Sequence, residues 1–180
     1  MKKKFLNQAS HEYSPRERIR LLMVAGVFFL GILPGAIWYF SKLLDRLLRW
    51  PSFAFGWVNI LAGGGLIAAG LLLAWWTIYV QFTLGRGTPV PLMATQQLII
   101  QKPYDYCRNP MALGTIVAGL GFAILIGSFS AVLLVLILSG LLLTYIKLAE
   151  EKEMELRFGE AYREYRKQTP FILPRFQKRK

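Results

Sequence analysis

Two stretches of this mostly apolar chain carry side chains able to do chemistry. One is residues 83–110, TLGRGTPVPLMATQQLIIQKPYDYCRNP, which gathers Arg108, Asn109, Tyr104, Tyr106, Asp105 and the single cysteine, Cys107. Bundle helices are usually joined by about 2 to 8 residues, so so long a connection points to function or disorder. Its aliphatic and aromatic content favours order. The other stretch is Glu150-Glu151, directly after the last apolar run. A carboxylate accepts hydrogen bonds from hydroxyl and ammonium groups, and an arginine holds a carboxylate, so together the stretches offer a binding site for a polar ligand. The same residues have plainer readings. Glu150 and Glu151 can open a solvated amphipathic helix supported by Glu153 with Arg157 and Glu160 with Arg163, and Arg108 can be a snorkelling interfacial anchor. One histidine and one cysteine exclude a disulfide framework and leave no basis for a zinc site. Cys107 reads as a small packing residue, and His11, on the basic arm, is not expected to be functional.

The elements that must position these residues are membrane helices. The chain has 180 residues, 54% hydrophobic and 18% charged, below the roughly 25% charged content of soluble domains. Residues 50–85 and 109–146 contain no Asp, Glu, Lys or Arg, and each run exceeds the roughly 20 residues that cross a bilayer. The net charge of +12 does not indicate nucleic-acid binding, because the basic residues flank the apolar runs as membrane topology requires. The expected fold is all-α: a polytopic bundle of about four transmembrane helices with an interfacial C-terminal helix. As one membrane domain, 1–180, it divides into a basic arm (1–20), two spans (21–82), a loop (83–110), a helical hairpin (111–147) and an amphipathic helix with its tail (148–180).

Ser14-Pro15-Arg16-Glu17 predicts a helix start. The first span, to about Phe40, is expected to stay in the mature protein, since no small-residue cleavage pattern follows it, and to kink at Pro34. Residues 42–50, KLLDRLLRW, read as an interfacial helix with leucines on one side and Lys42, Asp45, Arg46 and Arg49 on the other. The second span is placed at about 57–82, with Gly63, Gly64, Gly65 and Gly70 allowing close approach of a neighbour. Gly127-Ser128-Phe129-Ser130 breaks the third run into helices at about 111–126 and 131–147. A helix from about 150 to 167 follows, with Met154, Phe158, Ala161, Tyr162 and Tyr165 on one face, and Pro170 ends it. With both termini cytosolic, 19 of the 22 Lys and Arg lie inside, and loop 83–110 shares that face with the C-terminal helix.

At Lys102-Pro-Tyr-Asp-Tyr-Cys-Arg-Asn-Pro-Met-Ala-Leu-Gly114 the sequence resembles the integral-membrane methyltransferases that include isoprenylcysteine carboxyl methyltransferase and phosphatidylethanolamine N-methyltransferase, whose pattern is G-P-Y-x-Y-x-R-[NH]-P-M/S-Y-x-G. Glu150-Glu151, Phe158-Gly159-Glu160-Ala161-Tyr162, Tyr165 and a closing segment through Pro170 and Pro174 follow in the family's order. The resemblance covers about residues 80–176. It implies S-adenosyl-L-methionine as cofactor and a membrane lipid or lipidated small molecule as acceptor. Carried over residue by residue, Gln97, Leu98 and Ile99 would line the cofactor, Tyr104 would pack near it, Asn109, Pro110 and Met111 would form the turn beneath it, and Glu150 would bind one of its polar groups. Arg108, Asn109 and Glu151 are the implied catalytic residues, no metal is implied, and the site would lie on the cytosolic face of a multi-pass protein.

The chain also departs from the pattern. Lys102 stands where Gly is usual, Asp105 where Arg is frequent and Ala112 where Tyr is frequent. Asn109 replaces the histidine of the prenylcysteine branch. Ile146 occupies that branch's substrate-carboxylate arginine position, and the adjacent Lys147 lacks the bidentate fork. These differences leave the acceptor open among amine, carboxylate and thiol. Two rival classes remain at this stage: an NADPH-dependent membrane reductase of related scaffold, for which Gly85-Arg86-Gly87 is only a weak glycine motif, and a non-catalytic membrane adaptor.

Overall fold

The computed structural model describes residues 13–88, 93 and 95–175. Most of the basic arm therefore lies outside the described residues, among which there is no strand. The fold is an all-helical polytopic bundle. Among the described residues, three helices are long and apolar enough to cross a membrane: Pro15–Leu48, Trp57–Thr83 and Phe129–Gln168. Pro110–Ile126 is a shorter apolar helix.

The first long helix begins as its sequence predicts. The Glu17 amide donates to Ser14 Oγ at 3.3 Å and the Glu17 carboxylate accepts from the Ser14 amide at 2.8 Å, a complete capping box ahead of α1, Pro15–Val27. The distortion expected at Pro34 takes the form of a π turn, Phe28–Ile32, before α2, Leu33–Leu48. Pro34 has no N–H for the carbonyl four residues back, and a widened turn accommodates the loss without stopping the helix. Residues 42–50 are not a separate interfacial helix. Nothing between Phe40 and Lys42 breaks the hydrogen-bond ladder, so Lys42–Leu48 continue α2, which ends where Arg49 turns left-handed (φ 54°). Asp45, expected on the polar side, accepts from Ser128 Oγ at 2.6 Å and from the Ser130 amide at 3.2 Å, tying α2 to the hairpin turn.

Helix α3, Trp57–Thr83, and α4, Pro110–Ile126, form the tightest pair in the molecule. A Cβ built on Gly63 would meet the Gly121 carbonyl oxygen at 2.7 Å, and one on Gly70 would meet that of Gly114 at 2.5 Å. The glycines recur every seven residues, two helical turns, on both helices and in antiparallel order, so the backbones touch twice along one seam. Gly64 and Gly65 face open space and take no part. At the same end as Asp45, the buried Asn59 amide donates to the carbonyls of Phe53 (3.0 Å) and Ile124 (2.6 Å), and the Phe53 amide donates to Gly127 O at 3.0 Å.

The hairpin matches expectation: α4 ends at Gly127, left-handed at φ 62°, and α5, Phe129–Tyr145, starts under a Ser128 cap. The break expected between the last span and the polar helix is absent. A π turn, Ile146–Glu150, joins α5 to α6, Glu151–Gln168. The apolar, membrane-matched part ends at Ile146, and Lys147 begins the polar part. Within α6, Gly159 adopts φ 55°, ψ −126°, and Ala161 is exposed, off the face it was expected to share with buried Tyr162 and Tyr165. The start of α1, the end of α3, loop 83–110 and α6 gather at one end of the bundle; the 49–56 connection and the 127–128 turn lie at the other.

Candidate active site

The polar loop is held from both sides. Below it, Gln81 near the end of α3 donates from its amide to the Tyr104 hydroxyl. From α6, the Tyr165 hydroxyl donates to the Tyr104 carbonyl at 2.8 Å. Val80, Ile99, Tyr104, Tyr162 and Tyr165 form a buried cluster, with Leu98, Met154 and Phe158 packed on it. Burial raises the Tyr104 and Tyr165 hydroxyls well above the ordinary phenol range, so both stay protonated.

The chain beyond α6 closes over this loop. The Arg108 amide donates to Pro170 O at 2.9 Å, the Arg175 amide to Tyr106 O at 3.0 Å, and the Asn109 side chain to Phe171 O at 2.9 Å. Under this cover Arg108 Nη1 lies 2.6 Å from Glu151 Oε1, with the two side chains only 10% and 9% exposed. Neither atom has a hydrogen-bonding partner in good geometry, and neither does Arg108 Nε. A buried charge pair is expensive to desolvate unless its remaining donors and acceptors are satisfied, and unsatisfied ones mark a place that a ligand can complete. The Tyr162 hydroxyl adjoins the pair; burial and the Glu151 carboxylate raise it, and Arg108 partly offsets them.

Glu150 and Glu151, adjacent in sequence, differ in surroundings. Glu151 is paired with Arg108 at 2.6 Å. Glu150 is half-buried, and burial, reinforced by the charge of Glu153, pushes its pKa from 4.5 up to about 7. Glu150 is the last residue of the π turn that leads into α6. Glu153 pairs with Arg157 at 3.3 Å, and Arg157 also donates to the Thr95 carbonyl, which fastens α6 to the loop.

Of the residues expected at the site, the structure thus brings together Leu98, Ile99, Tyr104, Arg108, Asn109, Glu150 and Glu151. Pro110 is buried at the first position of α4, and Met111 is half-buried beside it. Gln97 is exposed and joins neither the cluster nor the ion pair. Sequence reasoning missed Gln81, Phe171 and the position of Lys147. The Phe171 ring stands between two cations, with Arg108 5.6 Å and Lys147 Nζ 5.4 Å from its centre. On the Lys147 side, Leu143, Thr144, Lys147, Leu148 and Phe171 line an open cavity of about 280 Å³. Ile146, at the position of the prenylcysteine branch's arginine, is buried and apolar.

The fold and this site define a class: a membrane helical bundle whose polar loop and last helix build a buried charged site at one interface. The chain belongs to the phospholipid methyltransferase family, whose profile matches residues 58–161. It is similar to the methanethiol S-methyltransferase of Crocosphaera subtropica, 27% identical over 143 residues, which cover 77% of this chain and 51% of that protein. The methanethiol S-methyltransferase of Mycobacterium tuberculosis is 25% identical over 164 residues, 88% of this chain and 64% of that protein. The chain therefore spans about half to somewhat under two thirds of the length of these relatives.

Proposed function

We propose that the protein transfers a methyl group from S-adenosyl-L-methionine to a lipophilic acceptor that reaches the site from the bilayer. The observation that carries this reading is the buried Arg108–Glu151 pair with unsatisfied polar atoms, enclosed by the loop and the C-terminal segment. Those atoms fit the cofactor's chemistry. Arg108 retains N–H donors suited to a carboxylate, and Glu150, the acid not engaged by an arginine, suits an ammonium or a ribose hydroxyl. The bound cofactor would supply a methyl group made electrophilic by a sulfonium. Glu151 fixes the Arg108 fork, Asn109 holds the closing segment at Phe171, and the Ile99–Tyr104–Tyr165 wall excludes water. Methyl transfer consumes positive charge, so a dry and tightly positioned site favours it. Arg108, Asn109 and Glu151 serve in this reading as positioning residues, while Glu150 is the carboxylate that holds the cofactor. Positive-inside asymmetry supports a cytosolic site.

The family match favours this reading over a reductase or an adaptor. Both named relatives are methanethiol S-methyltransferases, which favours sulfur as the nucleophile within the lipophilic class. The test is calorimetry on the detergent-purified protein with S-adenosylhomocysteine and with NADPH, followed by methyl-labelled cofactor in membranes supplied with an alkanethiol or phosphatidylethanolamine. Binding of S-adenosylhomocysteine and organic-extractable label are expected. NADPH binding alone, or label confined to aqueous and protein fractions, would refute the proposal.

A further inference from the structure

A second polar site lies at the same interface but apart from the Arg108–Glu151 pair. Tyr13, Ser14, Pro15, Arg18 and Arg86 line a cavity of about 330 Å³ between the first turn of α1 and the Gly85-Arg86-Gly87 turn. Arg18 is its unusual member. The residue is 9% exposed, yet among the described residues its partners are one backbone carbonyl, Phe82 O at 3.1 Å from Nη1, and the face of the Phe82 ring, 4.6 Å away. Its Nε is buried with no hydrogen-bond partner, and among the described residues no carboxylate pairs with it. A guanidinium carries five N–H donors and a fixed charge, and burying it without a counter-ion costs several kcal/mol by general estimate. A snorkelling arginine would extend its head into water; this one is folded against α3.

The second cation is brought in by deliberate backbone. Arg86 holds φ 50°, a left-handed conformation that non-glycine residues rarely adopt and that usually persists where the surroundings impose it. Those surroundings are tight: a Cβ on Gly85 would meet Ile99 Cδ1 at 2.7 Å and the Gln81 carbonyl at 2.9 Å, and the Gln96 amide donates to Gly85 O at 2.7 Å. Depth fixes the setting. Arg18 lies three residues before the first apolar run, about 4.5 Å along the helix, and Phe82 is in the last turn of α3, so the cavity sits at headgroup level.

We propose that this cavity binds the phosphate of an anionic phospholipid, with Arg18 as the buried counter-charge and Arg86 closing over the headgroup. Two guanidiniums and a phenol suit phosphate oxygens, which arginine holds bidentately, whereas the Ser14 hydroxyl is committed to Glu17 Oε2 at 2.8 Å. This inference stands apart from the methyl-transfer reading. Because the Gly85–Gly87 turn packs on Thr95 and Ile99, an occupied cavity also braces the loop of the neighbouring site.

The test is native mass spectrometry and thermal unfolding of the full chain in detergent, titrated with phosphatidylglycerol, phosphatidylcholine or inorganic phosphate, for wild type, Arg18→Gln and Arg86→Gln. Phosphatidylglycerol should bind and stabilise wild type at least 10-fold more tightly than phosphatidylcholine. Each variant should lose at least 10-fold of that affinity while keeping the helical circular-dichroism spectrum and cooperative melting of the wild type, which shows it is folded. If Arg18→Gln does not fold, the exposed Arg86→Gln decides. Stabilisation by millimolar inorganic phosphate, lost in the variants, would support the same phosphate chemistry with a soluble source. Equal affinity for the two lipids, or anion binding unchanged in a folded variant, would overturn the proposal.

Discussion

At the scale of single residues, the two adjacent glutamates part company: Glu151 is tied to Arg108, while Glu150 is held by no arginine among the described residues and has a raised pKa. Glu150 ionises near 7, so its carboxylate is mostly present at pH 8 and mostly protonated at pH 6. If it holds the cofactor's ammonium, affinity for S-adenosylhomocysteine should fall about tenfold from pH 8 to pH 6. Glu150→Gln should bind weakly with a flat profile; calorimetry across that range checks it, and a steep profile in the variant would remove Glu150 from the site. The same shift sets a stability trend of the opposite sign. The folded protein binds this proton more tightly than the unfolded chain, so stability should decline as pH rises from 4.5 toward 7 and stay low above it. Glu150→Gln should remove that decline, as read by thermal unfolding without ligand. Glu151→Ala instead leaves Arg108 buried without a partner, at a cost of about 3 to 5 kcal/mol. Glu164→Ala breaks a solvent-screened pair of exposed residues with Lys167 and should leave the melting temperature almost unchanged. Comparable melting shifts for the two variants would contradict the structural role given to Glu151.

At the scale of elements, the α3–α4 seam makes the sharpest prediction. Gly70→Val and Gly114→Val push a side chain into backbone carbonyls, whereas Gly64→Val faces open space. The seam variants should lose on the order of 1 to 3 kcal/mol or more and the control almost nothing, as measured by thermal unfolding in detergent. This seam also shows what the sequence makes legible. The helices themselves follow from uncharged runs, caps and the Gly127 turn, all local signals. That Gly70 meets Gly114 while Gly65 meets nothing depends on the rotation of one helix against another, which composition does not encode. Asp45 is a similar case: its place on a leucine-rich segment suggests a polar face, and only the packed bundle supplies Ser128. At the site, the motif loop and Glu150-Glu151 were legible through their residue types and the family resemblance. Phe171 was not, because its segment docks through the Pro170 and Phe171 carbonyls, groups that every residue carries.

At the scale of the whole molecule, the contacts sort the connections into two ends, and charge decides which end faces the cytosol. Arg18 with Phe82 and Arg175 with Tyr106 mark the site end; Phe53 with Gly127 and Asp45 with Ser128 mark the other. By sequence, 19 of the 22 Lys and Arg fall in the segments assigned to the cytosolic side and 3 in residues 42–54, so the site end should be cytosolic. Ser128 is fully buried and would not report accessibility, but Ser52 and Gln101 are exposed at opposite ends. Native Cys107 is only 1% exposed and should give little background. A membrane-impermeant maleimide applied to intact cells should therefore label Ser52→Cys, while Gln101→Cys should label only after permeabilisation. The reverse pattern would overturn the orientation and leave the bundle intact. Labelling of both positions from the same side would overturn the bundle itself, because Trp57–Thr83 would then fail to cross the membrane between them.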